Sequence, residues 1–88
     1  MSESSDSQGG QALSTIRPGE RGLVRALRGG RTFRSRAANL GFTMGAEVGV
    51  IQNYGRGPMI VAVRGTRVAL GRPEADNVLV ELLMAGDQ

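Results

Sequence analysis

Arg25, Arg28, Arg31, Arg34 and Arg36 fall within twelve residues that hold no acidic side chain. Guanidinium forks pair with carboxylates and phosphates in two-point geometry, so such a cluster could meet an acidic protein face, nucleic acid or an anionic membrane surface. It could equally be a solvated helix face. All eleven basic residues of the chain are arginine, as a G+C-rich coding sequence would favour without any functional demand. A second candidate is the loop Tyr54-Gly55-Arg56-Gly57-Pro58, because tyrosine and arginine are favoured anchors at protein interfaces. Its plain alternative is an ordinary Gly-Pro connection. The chain has neither His nor Cys, which excludes thiolate chemistry, Ser-His-Asp triads, disulfides and zinc-type sites.

Other residue pairs carry less. Gly55-Arg56-Gly57 lacks the G-x-x-x-x-G-K-[ST] pattern of a phosphate-binding loop. Glu74 and Asp76, two apart on a short turn after Pro73, diverge rather than converge, and acids there suit the dipole of a helix start. Arg64 and Arg67 flank a tight turn and read as polar shielding of that turn and its strand edge. Nucleic acid would need stacking aromatics beside the arginines. The chain offers only Phe33, Phe42 and Tyr54, and the first two are expected in the core. A groove for Pro-rich peptides is disfavoured by the same shortage. Among the functional readings of these arginines a protein-binding surface stands ahead of nucleic acid, with the solvated face left open beside it, and no catalytic constellation is present.

These residues must be positioned by a small fold. The chain has 88 residues. Residues 1–11 contain no apolar side chain after Met1 and read as a flexible polar tail, residues 12–84 as one domain and 85–88 as a short C-terminal tail. The start lacks the basic and apolar regions of a secretory signal, and the longest apolar run, 59–63, is far short of the roughly 20 residues that span a bilayer. A soluble protein is expected. Setting aside Glu3 and Asp6 of the tail raises the net charge from +3 to +5.

Pro18-Gly19 suits the central positions of a type II turn. Residues 21–27 predict a strand that Gly29-Gly30 breaks. Phe33, Ala37 and Leu40 lie on one face of a helix over 32–40, with Gly41 as its left-handed cap and Phe42 folding back onto the Ala37 end. Arg31, Arg34 and Arg36 point mainly away from that stripe. Thr43-Met44-Gly45 makes the next corner. Val48 and Val50 begin a strand that ends at the Tyr54 loop, and Met59, Val61 and Val63 face one way along the next. Gly65-Thr66 predicts a two-residue II′ hairpin loop. Val68 and Leu70 continue the inward face, Pro73 opens a helical turn, and Val78, Val80 and Leu82 mark the last strand. Five short strands, one short helix and glycine-rich corners predict a mainly β fold, a small closed barrel.

Three pieces of this sequence resemble the FeoA family, SH3-like barrels that accompany the bacterial ferrous-iron transporter FeoB. They are L-S-T-I-R-P-G-E at 13–20, S-R-A-A-N-L-G-F-T-M-G at 35–45 and V-R-G-T-R-V-A-L-G-R-P-E-A-D-N-V-L-V at 63–80. The resemblance covers residues 13–82. Where the family usually has a bulky aliphatic residue after the helix arginine, this chain has Ala37 and Ala38. The barrel is also similar to the C-terminal domain of DtxR-type metal regulators, but this chain has no helical DNA-reading portion, so a stand-alone protein is expected.

The resemblance implies a cytoplasmic, non-enzymatic accessory of ferrous-iron transport that touches FeoB and modulates its assembly or GTPase cycle. Arg31, Arg34, Arg36, Tyr54 and Arg56 are the expected contact residues, with an arginine-finger role for Arg56 toward the GTPase as a lesser reading. No cofactor, small-molecule substrate or metal is expected. Without His or Cys, ferrous iron would find only hard carboxylates such as Glu74, Asp76 and Glu81. Membrane association is expected only through the transporter. A homo-oligomer and a small basic nucleic-acid-binding or regulatory module are the alternatives.

Overall fold

The computed structural model describes residues 10–83; nearly all of both expected tails lies outside them. The elements are β1 (Gln11–Ala12), a turn of 3-10 helix (Leu13–Thr15), β2 (Arg21–Leu27), α1 (Arg31–Leu40), β3 (Glu47–Gln52), β4 (Met59–Val63), β5 (Thr66–Leu70), α2 (Arg72–Asp76) and β6 (Val78–Leu82). One antiparallel sheet holds all six strands in the order β1-β6-β2-β3-β4-β5. It curls over a single core that includes Val24, Val48, Val50, Met59, Val61, Val63, Val78 and Val80. Period-two alternation is why: β4 buries Met59, Val61 and Val63 and turns Ile60 and Ala62 the other way. Bulges at Val24/Ala26 in β2 and Val50/Gln52 in β3 add the local bend that curling needs.

Several expectations hold locally. Glu20 N–H donates to Arg17 O at 3.0 Å with Gly19 at φ 90°, a type II turn on Pro18-Gly19. Ala46 N–H donates to Thr43 O at 2.9 Å, closing the corner at Met44-Gly45. In α2 the Glu74 carboxylate accepts the Gly71 N–H at 3.0 Å, which secures the start that Pro73 opens.

Three expectations are corrected. There are six strands, not five, because Gln11 and Ala12 pair with Val80 and Leu79. Gln11 therefore leaves the expected tail for the sheet: strand pairing is made by the backbone and needs no apolar side chain. Leu40 is not on the buried stripe of α1 but 40% exposed, past the point where the helix meets the core. The β4–β5 loop is Arg64-Gly65 rather than Gly65-Thr66, with φ of 51° and 78°, the positive pair of a type I′ turn. The expected register would set Arg64 directly opposite Arg67. The observed one avoids that and seats Met59 opposite Leu70 and Val61 opposite Val68.

Candidate functional site

Helix α1 carries the arginine cluster, and its two ends are built very differently. At the start Gly30 supplies no side-chain cap, and the first turn contains no acid. Arg31 and Arg34 sit there instead, against the sign that a helix N-terminus favours and three residues apart, where like charges repel. The C-terminal end is secured in depth. Gly41 is left-handed at φ 109°, and Phe42 N–H donates to Ala37 O at 2.9 Å while its ring is fully buried. Arg64 reaches across from the hairpin, donating from Nε to Gly41 O at 3.3 Å and from Nη2 to Thr43 Oγ1 at 2.6 Å. That clasp puts a cation on the helix C-terminus and offsets the strain of the non-glycine residue that the turn sets at φ 51°. The sequence reading as turn shielding missed it.

Gly41→Ala is expected to cost about 1 kcal/mol or more, since a Cβ is disfavoured at the positive φ that this position requires. It would also lie 3.2 Å from Arg64 Cδ. Urea denaturation beside Gly45→Ala, whose Cβ meets nothing within 4 Å, separates the two causes. Equal losses would dismiss the Arg64 contact.

The five clustered arginines do not form one free surface. Arg25 pairs with Glu81 at 3.4 Å, and Arg36 pairs with Glu74 at 3.0 Å through the same carboxylate that secures α2. Arg28, Arg31 and Arg34 are exposed, with no acidic partner among the described residues.

Tyr54 and Arg56 lie elsewhere. Their loop joins β3 to β4 beside the Gln52–Ile60 pair, whereas the clasped end of α1 meets the turn after Val63. The two are separated by the length of β4, five residues or about 13 Å at the usual strand rise. Tyr54 is 76% exposed and Arg56 is exposed.

The loop's base is fixed by Asn53. Its Nδ2 donates to Ser14 O at 3.0 Å and Ile16 O at 2.8 Å. Its Oδ1 accepts from Gly55 N–H at 3.0 Å and from Arg72 Nη2 at 2.9 Å. Arg72 Nη1 also donates to Ser14 O, at 3.1 Å. Because Ser14 follows β1 and Arg72 follows β5, this network ties together the two outermost strands of the sheet, which share no ladder. Asn53 carried one sequence signal, the local hydrogen bonding typical of Asn in turns. Arg72 carried none.

Among the described residues there is no pocket and no group of three or more acidic side chains placed to hold a metal ion. Glu74 and Asp76 are engaged apart, Glu74 with Arg36 and Asp76 with the Ser14 hydroxyl. Of the three aromatic rings, Phe42 is buried, Phe33 half-buried and only Tyr54 exposed, so there is no stacking platform for bases.

Residues 11–82 match the model of the FeoA domain. The Fe(2+) transport protein A of Methanocaldococcus jannaschii is 30% identical over 69 residues, covering 78% of this chain and 83% of that protein. Among solved structures, an iron uptake regulatory protein (FeoA) superposes with a TM-score of 0.78 at 36% identity, over 82% of this chain and 96% of the other. A FeoA from Stenotrophomonas maltophilia, solved with zinc and described as an SH3 domain protein, gives 0.69 at 30% identity over 81% and 89%. These likenesses bear out the SH3-like fold read from the sequence.

Proposed function

The chain belongs to the FeoA domain family, and on that premise we propose that it docks on the cytoplasmic part of a FeoB-type transporter. It is an accessory of ferrous-iron transport. In this reading it is cytoplasmic and non-enzymatic, and it modulates the transporter's assembly or GTPase cycle. No described helix is long and apolar enough to cross a membrane; in this reading the membrane is reached through the transporter.

One observation carries the reading. Eleven arginines stand against five acids between residues 10 and 83, yet the unpaired ones include both in the first turn of α1, where they weaken their own helix. A sequence under selection for stability alone would place acids there. Arg31 and Arg34 are the primary contact with an acidic face of the transporter. Tyr54 and Arg56 form a further contact, and Arg36 contributes only by leaving Glu74. Nucleic acid is the poorer fit, because a single exposed ring, Tyr54, makes no stacking platform.

Arg31→Glu separates binding from stability. It puts an acid at the helix start and creates an i,i+3 pair with Arg34, so the domain is expected to gain about 0.5–1 kcal/mol. Affinity for the purified soluble part of the transporter is expected to fall at least about tenfold, or 1.4 kcal/mol. A variant more stable and equally tight would remove α1 from the interface. Absence of saturable binding by the unaltered protein, with steep salt-dependent binding to DNA fragments instead, would overturn the reading as a whole.

A further inference from the structure

Strand β5 is an open edge of the sheet, pairing with β4 alone. The residues flanking a two-residue hairpin loop exchange both backbone hydrogen bonds, here Val63 with Thr66. Along β5 the N–H and C=O groups of Thr66, Val68 and Leu70 therefore turn toward β4, and those of Arg67 and Ala69 turn outward. Among the described residues no backbone group bonds to Arg67 or Ala69 from that outer side. Both residues are exposed. Arg67, unlike Arg64, has no ionic or hydrogen-bonding side-chain partner among the described residues.

We infer that the β5 edge receives an extended acidic segment of a partner protein as an additional strand, with a carboxylate set against Arg67. Strand addition uses main-chain hydrogen bonds for affinity and side chains at alternate positions for specificity. The edge supplies two outward N–H and two outward C=O groups for the first and an unpaired guanidinium for the second. A second copy of this chain is the wrong occupant, because each copy carries the same excess of arginine over acid. Arg67 thus repels another β5 while attracting a segment of opposite charge. Neither the α1 arginines nor Tyr54 and Arg56 take part, so the role of this edge stands or falls independently of the transporter reading.

The test uses the full-length protein labelled for amide NMR and two eight-residue probes of alternating valine and threonine, one with a central glutamate and one with a central lysine. In the free protein the Arg67 and Ala69 amides are expected to exchange fast and those of Val68 and Leu70 slowly. Adding the glutamate peptide should slow exchange at Arg67 and Ala69 and bind about fivefold more tightly than the lysine peptide. Ala69→Pro removes an outward N–H without touching the β4 ladder and should abolish binding while the fold is retained. If that variant does not fold, Arg67→Glu should reverse the preference between the two probes. Slow exchange at Arg67 and Ala69 in the free protein, no shift with the glutamate peptide at millimolar concentration, or equal affinity for both probes would each overturn the inference.

Discussion

Phe42→Ala is expected to remove a large share of the domain's stability at 25 °C. The ring is fully buried in the common core, and removing a buried Phe side chain costs about 3–5 kcal/mol in transfer free energy and residual cavity. A domain of this size commands about 4–11 kcal/mol in total at the usual stability per residue. The position also matters. Phe42 N–H closes the C-terminal end of α1 on Ala37 O, and α1 itself buries only Ala37 and part of Phe33. The ring is thus the main apolar anchor at the clasped end of the arginine-bearing helix, and its loss should release the helix before the sheet.

Urea denaturation followed by far-UV circular dichroism reads the effect. At about 1 kcal/mol per molar urea, the midpoint should fall by about 3 M or more. Phe42→Leu, which keeps most of the volume, should stay folded with a loss below about 2 kcal/mol. A midpoint for Phe42→Ala within 1 M of the unaltered protein would show that the core closes over the gap and that α1 is held by other means.

Phe42 was legible in the sequence because the signals that place it are local. Gly41 must end the helix, and an apolar residue just beyond it has one direction in which to fold. The same is true of the Pro18-Gly19 turn and of the valines of β4, whose inward face follows from a two-residue period. What stayed hidden depends on partners distant in sequence. Arg64 looks like turn decoration until the Gly41 carbonyl, 23 residues earlier, is seen to accept from it. Five arginines in a run look like one surface until Glu81 and Glu74, from the far end of the chain, claim Arg25 and Arg36. β1 escaped notice because a two-residue strand with one glutamine has no side-chain pattern to read. Turn register is hidden for another reason. A shift by two residues keeps every inward side chain inward, so alternation alone leaves Arg64-Gly65 and Gly65-Thr66 equally good.

Asn53→Ala is expected to cost about 2–3 kcal/mol, far more than truncating a partly exposed loop residue usually does. Four hydrogen bonds meet at this side chain, two given to Ser14 O and Ile16 O and two received from Gly55 N–H and Arg72 Nη2. Truncation strands the Ile16 carbonyl, takes one of two donors from Ser14 O, and leaves Arg72 with Ser14 O alone, when its Nε is already buried without a partner. Asp at position 53 should not restore the loss. A carboxylate could still accept from Gly55 and Arg72, but it would turn an oxygen toward the Ser14 and Ile16 carbonyls, where only a donor fits. Arg72→Ala should cost a similar amount because it opens the same network from the other side.

The decisive quantity is the coupling between the two. If Asn53 and Arg72 act as one link between the β1 and β5 ends of the sheet, the double variant should lose less than the two single losses combined, by about 1 kcal/mol or more. Amide exchange at Gly55 should speed up in Asn53→Ala, since its acceptor is gone, while exchange in the first turn of α1 stays unchanged. Additive losses would mean that the two side chains serve separate purposes. Faster exchange in both regions would mean that the network holds the whole domain rather than the Tyr54 loop, and Tyr54 and Arg56 would then be presented by the fold at large and not by Asn53.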